Sequence, residues 1–500
     1  MANETRLSSK LYRGLKSQTL ITISIGLIQL AYFSVMSRLL DKEDFGLFAV
    51  VTAVATILSE ISQAGLGAAV IQKKGATYDY ISTAFILSIL IGGFGMLVLF
   101  SLSSFLSTKF VSSDTLTIPF CLISLSIFFT VLNSVSSGLF IKELKFYELG
   151  IIQFVSNLIS SLLGVYMAFL NYGVYALVIA MLLNTLAISL VSLFLQRKKF
   201  SFKISKEYVT QILAYGGWLT GSGVVRSIYN QMDRLITGRW ISVGTLGIYT
   251  RASGFVITII SHVNTIFDTI LFPILSDIQD DQKRMSDAYR KCTDLIFLMS
   301  FIVSFSFILV AEIVIYIFLG EKWMDTSLIF KIISVSILLH PFGRICDSFF
   351  RSIGIVKQYF CVRVVLCISS VLLIFIGCKF FSVEGLAVAY VLSRLVDVTL
   401  KIWVLGKYTS VKPWDLLKQP ILNFLIIFLL FFLSYSLYRE CYFIIGNILS
   451  VLTFVFLLAI VLIFNHRIFG DNCYNYLYCN VAAIITEHKR TCLKKYKRIC

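Results

Sequence analysis

The sequence predicts an all-α polytopic membrane protein with about fourteen transmembrane helices. Three observations predict it. Hydrophobic residues make up 58% of the 500 residues and charged residues only 14%, against roughly 25% charged in an average soluble protein. Apolar runs of about 20 residues, the length that spans a bilayer, recur along the whole chain. The basic residues fall between those runs, on alternating sides.

The runs lie near 17–38, 45–70, 80–106, 115–140, 149–170, 174–195, 212–238, 246–270, 292–318, 326–351, 358–378, 384–405, 419–438 and 442–465. An even number of spans places both termini on one side. On that side fall 28 of the 44 Lys and Arg, and only 6 fall in the opposite loops. By the positive-inside rule the termini are cytoplasmic. The net charge of +17 therefore reads as loops facing anionic headgroups rather than as a nucleic-acid surface. No loop is long enough for a folded domain. The organisation expected is a first lobe over 1–196, a cytoplasmic linker over 197–211, a second lobe over 212–405, two further helices over 406–465 and a basic tail over 466–500. Residues 1–17 are polar and basic, with no cleavable signal pattern.

The halves repeat weakly. Arg38, Gly46 and Phe48 match Arg239, Gly247 and Tyr249 at an offset of 201, and Lys145 and Gly173 match Lys357 and Gly385 at an offset of 212. Six helices per half give both halves the same topology, related by an axis along the membrane normal.

The eleven cysteines read as free thiols of a reducing compartment. Cys473, Cys479, His488 and Cys492 of the tail have no compact metal-site spacing, so no metal and no cofactor is expected. Motifs for nucleotide binding, zinc hydrolysis or a serine nucleophile are absent, and the chain reads as a non-enzyme.

Ionised side chains inside a span cost about 2.5–3.5 kcal/mol each on insertion scales and therefore mark protein interior or a wet cavity. They concentrate in the second half. His340, Arg344, Asp347 and Arg351 form one stripe of the tenth span, beside the helix-breaking Pro341. The alternatives are a stripe that lines a cavity and a self-neutralising stripe in which Asp347 pairs with Arg344 or Arg351 for packing, and either leaves a positive remainder. The seventh span carries Arg226, Asn230 and Arg234 on one face with Asp233 beside them, and the twelfth carries Arg394 and Asp397. Arg226, His340, Arg344 and Arg394 fall near mid-depth. Arg38 and Arg251 fall near outer ends, where the alternatives are a snorkelling side chain or a mouth residue. Several Arg at mid-depth make an anion site, because the guanidinium fork donates paired hydrogen bonds and stays charged. Glu60, Asp233, Asp268, Glu312, Asp347 and Asp397, with His262, are either ion-pair partners or ion-coupling groups.

Local motifs add a resemblance. Ser37-Arg38-Leu39-Leu40-Asp41-Lys42-Glu43-Asp44-Phe45-Gly46-Leu47-Phe48 resembles the opening signature of Wzx-type oligosaccharide flippases (O-antigen, capsule or colanic acid-like). These belong to the polysaccharide transporter family of the multidrug/oligosaccharidyl-lipid/polysaccharide exporter superfamily. Gln63-Ala64-Gly65-Leu66-Gly67-Ala68-Ala69-Val70-Ile71-Gln72 and Leu246-Gly247-Ile248-Tyr249-Thr250-Arg251-Ala252 are similar to later family segments. The resemblance implies two six-helix lobes forming a V. It implies alternating access that moves undecaprenyl-pyrophosphate-linked oligosaccharide from the inner to the outer leaflet of the bacterial inner membrane. It also implies a tail groove at helices thirteen and fourteen, and membrane lipids and a polysaccharide polymerase with chain-length machinery as further partners. On this reading Arg226, Arg344 and Arg394 hold the pyrophosphate, with Arg234, Arg251, Arg351 and Arg38 at the mouths. A cation-coupled drug antiporter of the same superfamily, which needs an acidic cavity, and a membrane polymerase or ligase, which needs a long outer loop, are the alternatives.

Overall fold

The structure, a computed structural model, describes residues 2–73, 75–111, 114–201, 203–258, 260, 300–301, 303–353, 355–407, 425, 428, 429 and 432. Among the described residues all regular structure is helical. The helices are α1 (Ala2–Leu39), α2 (Lys42–Gln63), α3 (Leu66–Gln72), α4 (Tyr78–Val111), α5 (Thr117–Lys142), α6 (Phe146–Phe169), α7 (Val174–Gln196) and α8 (Lys206–Trp240). They continue with α9 (243–258), α10 (Val303–Phe318), α11 (Thr326–Ser334), α12 (Ser336–Ile353) and α13 (Val356–Gly406). Eight described helical stretches are long and apolar enough to cross a membrane, the last of them Gln358–Gly406. The expected spans 419–438 and 442–465, the loop 271–291 and the tail 466–500 lie outside the described residues, so the fourteen-span count stands as an expectation.

The first, third, fourth, fifth and sixth expected spans fall within α1, α4, α5, α6 and α7 to within a residue or so at most ends. Two others differ. The run 45–70 is broken at Ala64 and Gly65, whose φ values of 47° and 64° are left-handed and end α2 before α3 begins. The tenth run, expected as one helix, is two. Its break lies at Val335, between α11 and α12, and α12 runs on through Pro341. A proline has no N–H to give the carbonyl four residues earlier, and the break falls on the N-terminal side of Pro341. In α13 the backbone kinks at Phe381 and Ser382, between the two expected spans 358–378 and 384–405.

These helices form because their backbones leave no polar group for lipid to satisfy. Their hydroxyls follow the same rule: Thr52, Ser88, Ser124, Ser126 and Thr130 each donate to a carbonyl three or four residues earlier. Leu27, Phe94, Leu162, Phe169, Phe194 and Phe380 are exposed, which suits contact with acyl chains. Asp41 caps the start of α2, its N–H donating to the Asp44 carboxylate at 3.1 Å. Carboxylates in the first turn also favour the positive end of the helix dipole.

The described residues fall into two compact units. One comprises those within 1–259, 314–333 and 355–397, the other those within 260–313, 334–354 and 398–500. In the first, α5 packs on α4 and α7, α6 on α1 and α7, and α2 on α8. α2 and α9 meet at glycines. A methyl group on Gly46 would collide with the Val243 carbonyl oxygen, and one on Gly247 would collide with the Lys42 carbonyl oxygen. Residues 42 and 46 stand opposite 243 and 247, so the contact is reciprocal at the 201-residue offset seen in the sequence. Only glycine lets two helix backbones approach this closely.

Candidate functional site

The charges singled out in the sequence divide between the two units. In the first, Arg251 of α9 is 9% exposed. Its guanidinium carbon lies 4.1 Å from the ring centre of Phe33 on α1 and 3.3 Å from that of Phe45 on α2. Its Nε has no hydrogen-bond partner among the described residues, and none of their carboxylates pairs with it. The side chain is buried between two rings. A desolvated cation on an aromatic face gains about 2 kcal/mol or more. That is less than the several kcal/mol of burying an ion, so the two rings, with Tyr32 nearby, leave the charge without an anionic partner among the described residues. Below them Phe255 packs with Phe33, Phe318 and Phe330, at centroid distances of 6.0, 5.3 and 5.9 Å.

Arg394 of α13 sits in a second aromatic setting. Its guanidinium lies 4.7 Å from the Tyr229 ring and 4.9 Å from the Tyr390 ring, and it donates to the Tyr390 hydroxyl at 3.4 Å. Tyr390 is one turn away on the same helix and Tyr229 comes from α8. Asp397, half-buried, is one turn further along α13.

α8 itself carries opposite outcomes for its charges. Arg226 is 57% exposed and pairs with Glu60 of α2 at 3.2 Å. Glu60 lies close over Gly223, where a side chain would displace it. Asp233 is buried and accepts a hydrogen bond from the fully buried Tyr249 of α9 at 2.8 Å. The Arg234 backbone N–H also donates to it, at 2.8 Å, while the Arg234 side chain is half-buried. Arg226, Tyr229 and Asp233 follow a helical i, i+3, i+7 spacing. The face expected from the sequence, Arg226, Asn230 and Arg234, shares only Arg226 with it.

Arg38, exposed, donates to the Ile317 carbonyl at 2.7 Å. It lies in a dense joint between the α1–α2 turn and residues 317–325. Trp323, fully buried, donates its indole N–H to the Ser37 carbonyl at 2.7 Å. Lys322 donates to the Leu40 carbonyl and lies 3.6 Å from Asp41. Lys42 pairs with Asp325 at 2.6 Å. The Trp323 ring meets the Phe45 ring edge-on at 5.5 Å.

The second unit holds His340 and Arg344, both half-buried on α12, with Arg351 on the same helix. Glu312, half-buried on α10, is also there. Asp347, for which the sequence offers Arg344 or Arg351 as partner, forms an ion pair with Lys401. Its carboxylate lies 2.8 Å from the Lys401 ammonium, with both side chains buried, and Lys401 also reaches the Gly343 carbonyl at 3.5 Å. Lys401 reads in sequence as an ordinary in-span cation; its i+4 spacing from Asp397 was the only local signal. His262 and Asp268 lie outside the described residues. Among the described residues no three His, Cys, Asp or Glu side chains could hold a metal ion.

The geometry thus brings Arg251 and Arg394 into aromatic settings, gives Arg226 a carboxylate and ties Arg38 to a carbonyl. Comparison with known proteins agrees with the fold. The family described as polysaccharide biosynthesis protein matches residues 35–328. The chain is 23% identical over 393 residues to the lipopolysaccharide biosynthesis protein WzxC of Escherichia coli, covering 78% of this chain and 79% of that one. It is 22% identical over 345 residues to the teichuronic acid biosynthesis protein TuaB of Bacillus subtilis, covering 68% and 71%. Its fold is similar to the lipid II flippase MurJ in an inward closed conformation, with a TM-score of 0.71 at 14% identity over 90% of this chain and 98% of that one. It is also similar to an inward-facing multidrug resistance MATE transporter, with a TM-score of 0.60 at 17% identity over 80% and 96%.

Proposed function

The chain belongs to the polysaccharide biosynthesis protein family, and on that premise we propose that it is a flippase for lipid-linked oligosaccharides. The cargo class is an undecaprenyl-pyrophosphate carrying a sugar repeat unit. It moves from the cytoplasmic to the outer leaflet of the bacterial inner membrane by alternating access, with both termini of the protein cytoplasmic. The relatives named for lipopolysaccharide and teichuronic acid biosynthesis support the class of cargo. The fold shared with a flippase and a MATE transporter supports transport rather than catalysis.

One observation carries the reading: Arg251, buried without an anionic partner among the described residues. A guanidinium held so is stabilised by a ligand that brings its own negative charge, and a diphosphate presents oxygens in the geometry the fork matches. Arg394 offers a second cation, and its flanking tyrosines offer faces and hydroxyls suited to a sugar. Arg226, Arg234 and Arg38 serve as more exposed cations of the same unit. Arg344, Arg351 and His340 belong to the other unit and are candidate cations within it. Asp233, Asp347, Asp397, Glu60, Asp268 and Glu312 remain counter-charges or coupling groups.

Deletion of the gene tests the class: a lipid-linked oligosaccharide accumulates facing the cytoplasm, and the wild-type gene restores export. Arg394→Ala and Arg344→Ala insert normally but do not restore it. If both export as well as wild type, the cationic assignment is wrong. The MATE likeness favours a cation antiporter as a second reading, with Asp233 as its acidic group. A dye-efflux assay separates the two, because the flippase reading expects no efflux.

A further inference from the structure

The ring that covers Arg251 also belongs to the joint between the α1–α2 turn and residues 317–325. Phe45 gives its face to the guanidinium and meets the Trp323 ring at the edge. Trp323 in turn holds the Ser37 carbonyl, and Ser37 donates to the Phe33 carbonyl at 2.7 Å. Phe33 is the other ring on Arg251. A closed circuit therefore runs Arg251, Phe45, Trp323, Ser37, Phe33 and back to Arg251. All of its members lie in the first unit.

The rest of the joint has the character of a catch rather than of a core. Lys42 with Asp325 and Lys322 with Asp41 are partly exposed ion pairs, and such pairs contribute little in water. Arg38 and Lys322 add hydrogen bonds to carbonyls at Ile317 and Leu40. The loops it joins are those the charge pattern places outside the membrane, and their sequence separation exceeds 270 residues in every contact.

We infer that this joint is an outer latch whose release is linked to anion binding at Arg251 through Phe45. The argument rests on the diphosphate reading above. An anion at the guanidinium cancels the charge that draws it onto the ring face, since the attraction of a cation to an aromatic quadrupole requires the net charge. Arg251 then turns toward the anion, Phe45 loses its partner, and the edge contact to Trp323 loses its support. A ligand shifts an equilibrium only by its differential affinity for the two states. Here the differential is explicit: the latched state spends Arg251 on two rings, and the unlatched state leaves it for the ligand. Exit of the cargo's headgroup on the outer side is thereby made conditional on its arrival.

The test uses full-length protein in detergent with its native cysteines replaced and Ser37→Cys as reporter. Ser37 is fully buried beneath Trp323, so a polar maleimide reaches the reporter only when the latch opens. Inorganic pyrophosphate is the probe, and its binding is measured by calorimetry on the same sample. The expected result is binding, with labelling at least three times faster when pyrophosphate is present. Phe45→Leu removes that response, and Trp323→Phe, which loses the indole N–H donated to the Ser37 carbonyl, gives fast labelling with or without the probe. Binding with unchanged labelling overturns the linkage and leaves the diphosphate reading intact. A response that survives Phe45→Leu overturns Phe45 as the link. No binding overturns Arg251 as a diphosphate site, and the linkage with it.

Discussion

The two ends of the first unit are fastened in different ways. At the end assigned to the outer side, the turn at 37–46 is joined to 317–325 and 241–247, segments from the other half of the sequence. At the inner end, the linker is laid along the first half, and α8 crosses the end of α2 where Gly216 meets Ala64 and Gly65. Tyr78 donates to the carbonyls of Lys198 and Phe200, and the N–H groups of Ser201 and Ser205 donate to Ser82 and Thr83. Phe200 stacks on Phe85 at 4.4 Å. Lys142 fixes the end of α3 by donating to the carbonyls of Val70 and Lys73 at 2.9 and 2.6 Å, where a cation meets the negative end of the helix. Lys73 reaches Gln211 on α8 at 3.0 Å. Outer contacts join the two repeats through ion pairs, a buried Trp323 and a glycine crossing, whereas inner contacts add the linker, laid on the first half, to a second glycine crossing. On the latch proposal, the outer joint is the one that opens.

The largest effect expected from breaking this contrast is at the outer end. Asp41→Cys with Lys322→Cys, bridged by a short bis-methanethiosulfonate linker, should stop surface polysaccharide export, and a reductant should restore it. Export that continues while the bridge is intact would show that this end does not open. Next is the glycine crossing. Gly46→Val meets the backbone at Val243, which cannot yield as a side chain would, so a loss of at least the 1–3 kcal/mol typical of overpacking is expected in a detergent melt. Gly93→Ala in α4 meets nothing within 4 Å and should leave the melt unchanged. Equal melts for the two variants would remove the crossing from the account.

The smallest effect lies inside. Glu143 sits between Lys199 and Lys145. Burial acts to raise its carboxyl, but the hydrogen bonds from the two lysines outweigh it and hold it below the usual range. A carboxylate lowered by folding stabilises above its unfolded pKa of about 4.3, and the gain is lost as pH falls through the folded value. Glu143→Gln should therefore cost at most about 1 kcal/mol at neutral pH, as partly exposed pairs do. The difference from wild type should close as the pH falls below about 4. A gap that persists in acid would mean that packing, not charge, sets the effect.

How much of this was legible in the sequence varies by feature. Spans such as 80–106 and 149–170 were legible because hydropathy is a sum over about 20 residues and tolerates local error. The 201-residue offset was legible too, and it pairs the same glycines that the fold presses together. The breaks at Ala64–Gly65 and Val335 were not, because the apolar run continues across each and hydropathy does not register backbone angles. Arg251 was placed near an outer end, but its burial depends on Phe33, more than 200 positions away. Trp323 and Lys401 were passed over for the same reason: a lone aromatic in a short loop and a lone cation in a span acquire meaning only from partners distant in sequence.

The account depends most on Arg251 as a charge held for a ligand rather than for the fold. Arg251→Met separates those roles in one protein, because replacing a buried ion by an apolar chain of similar length is often neutral or stabilising. The measurement is the detergent melting temperature of this variant alongside its ability to restore export in the deletion strain. The account predicts a melting temperature equal to or above that of wild type with export lost. A lower melting temperature with export retained would contradict it.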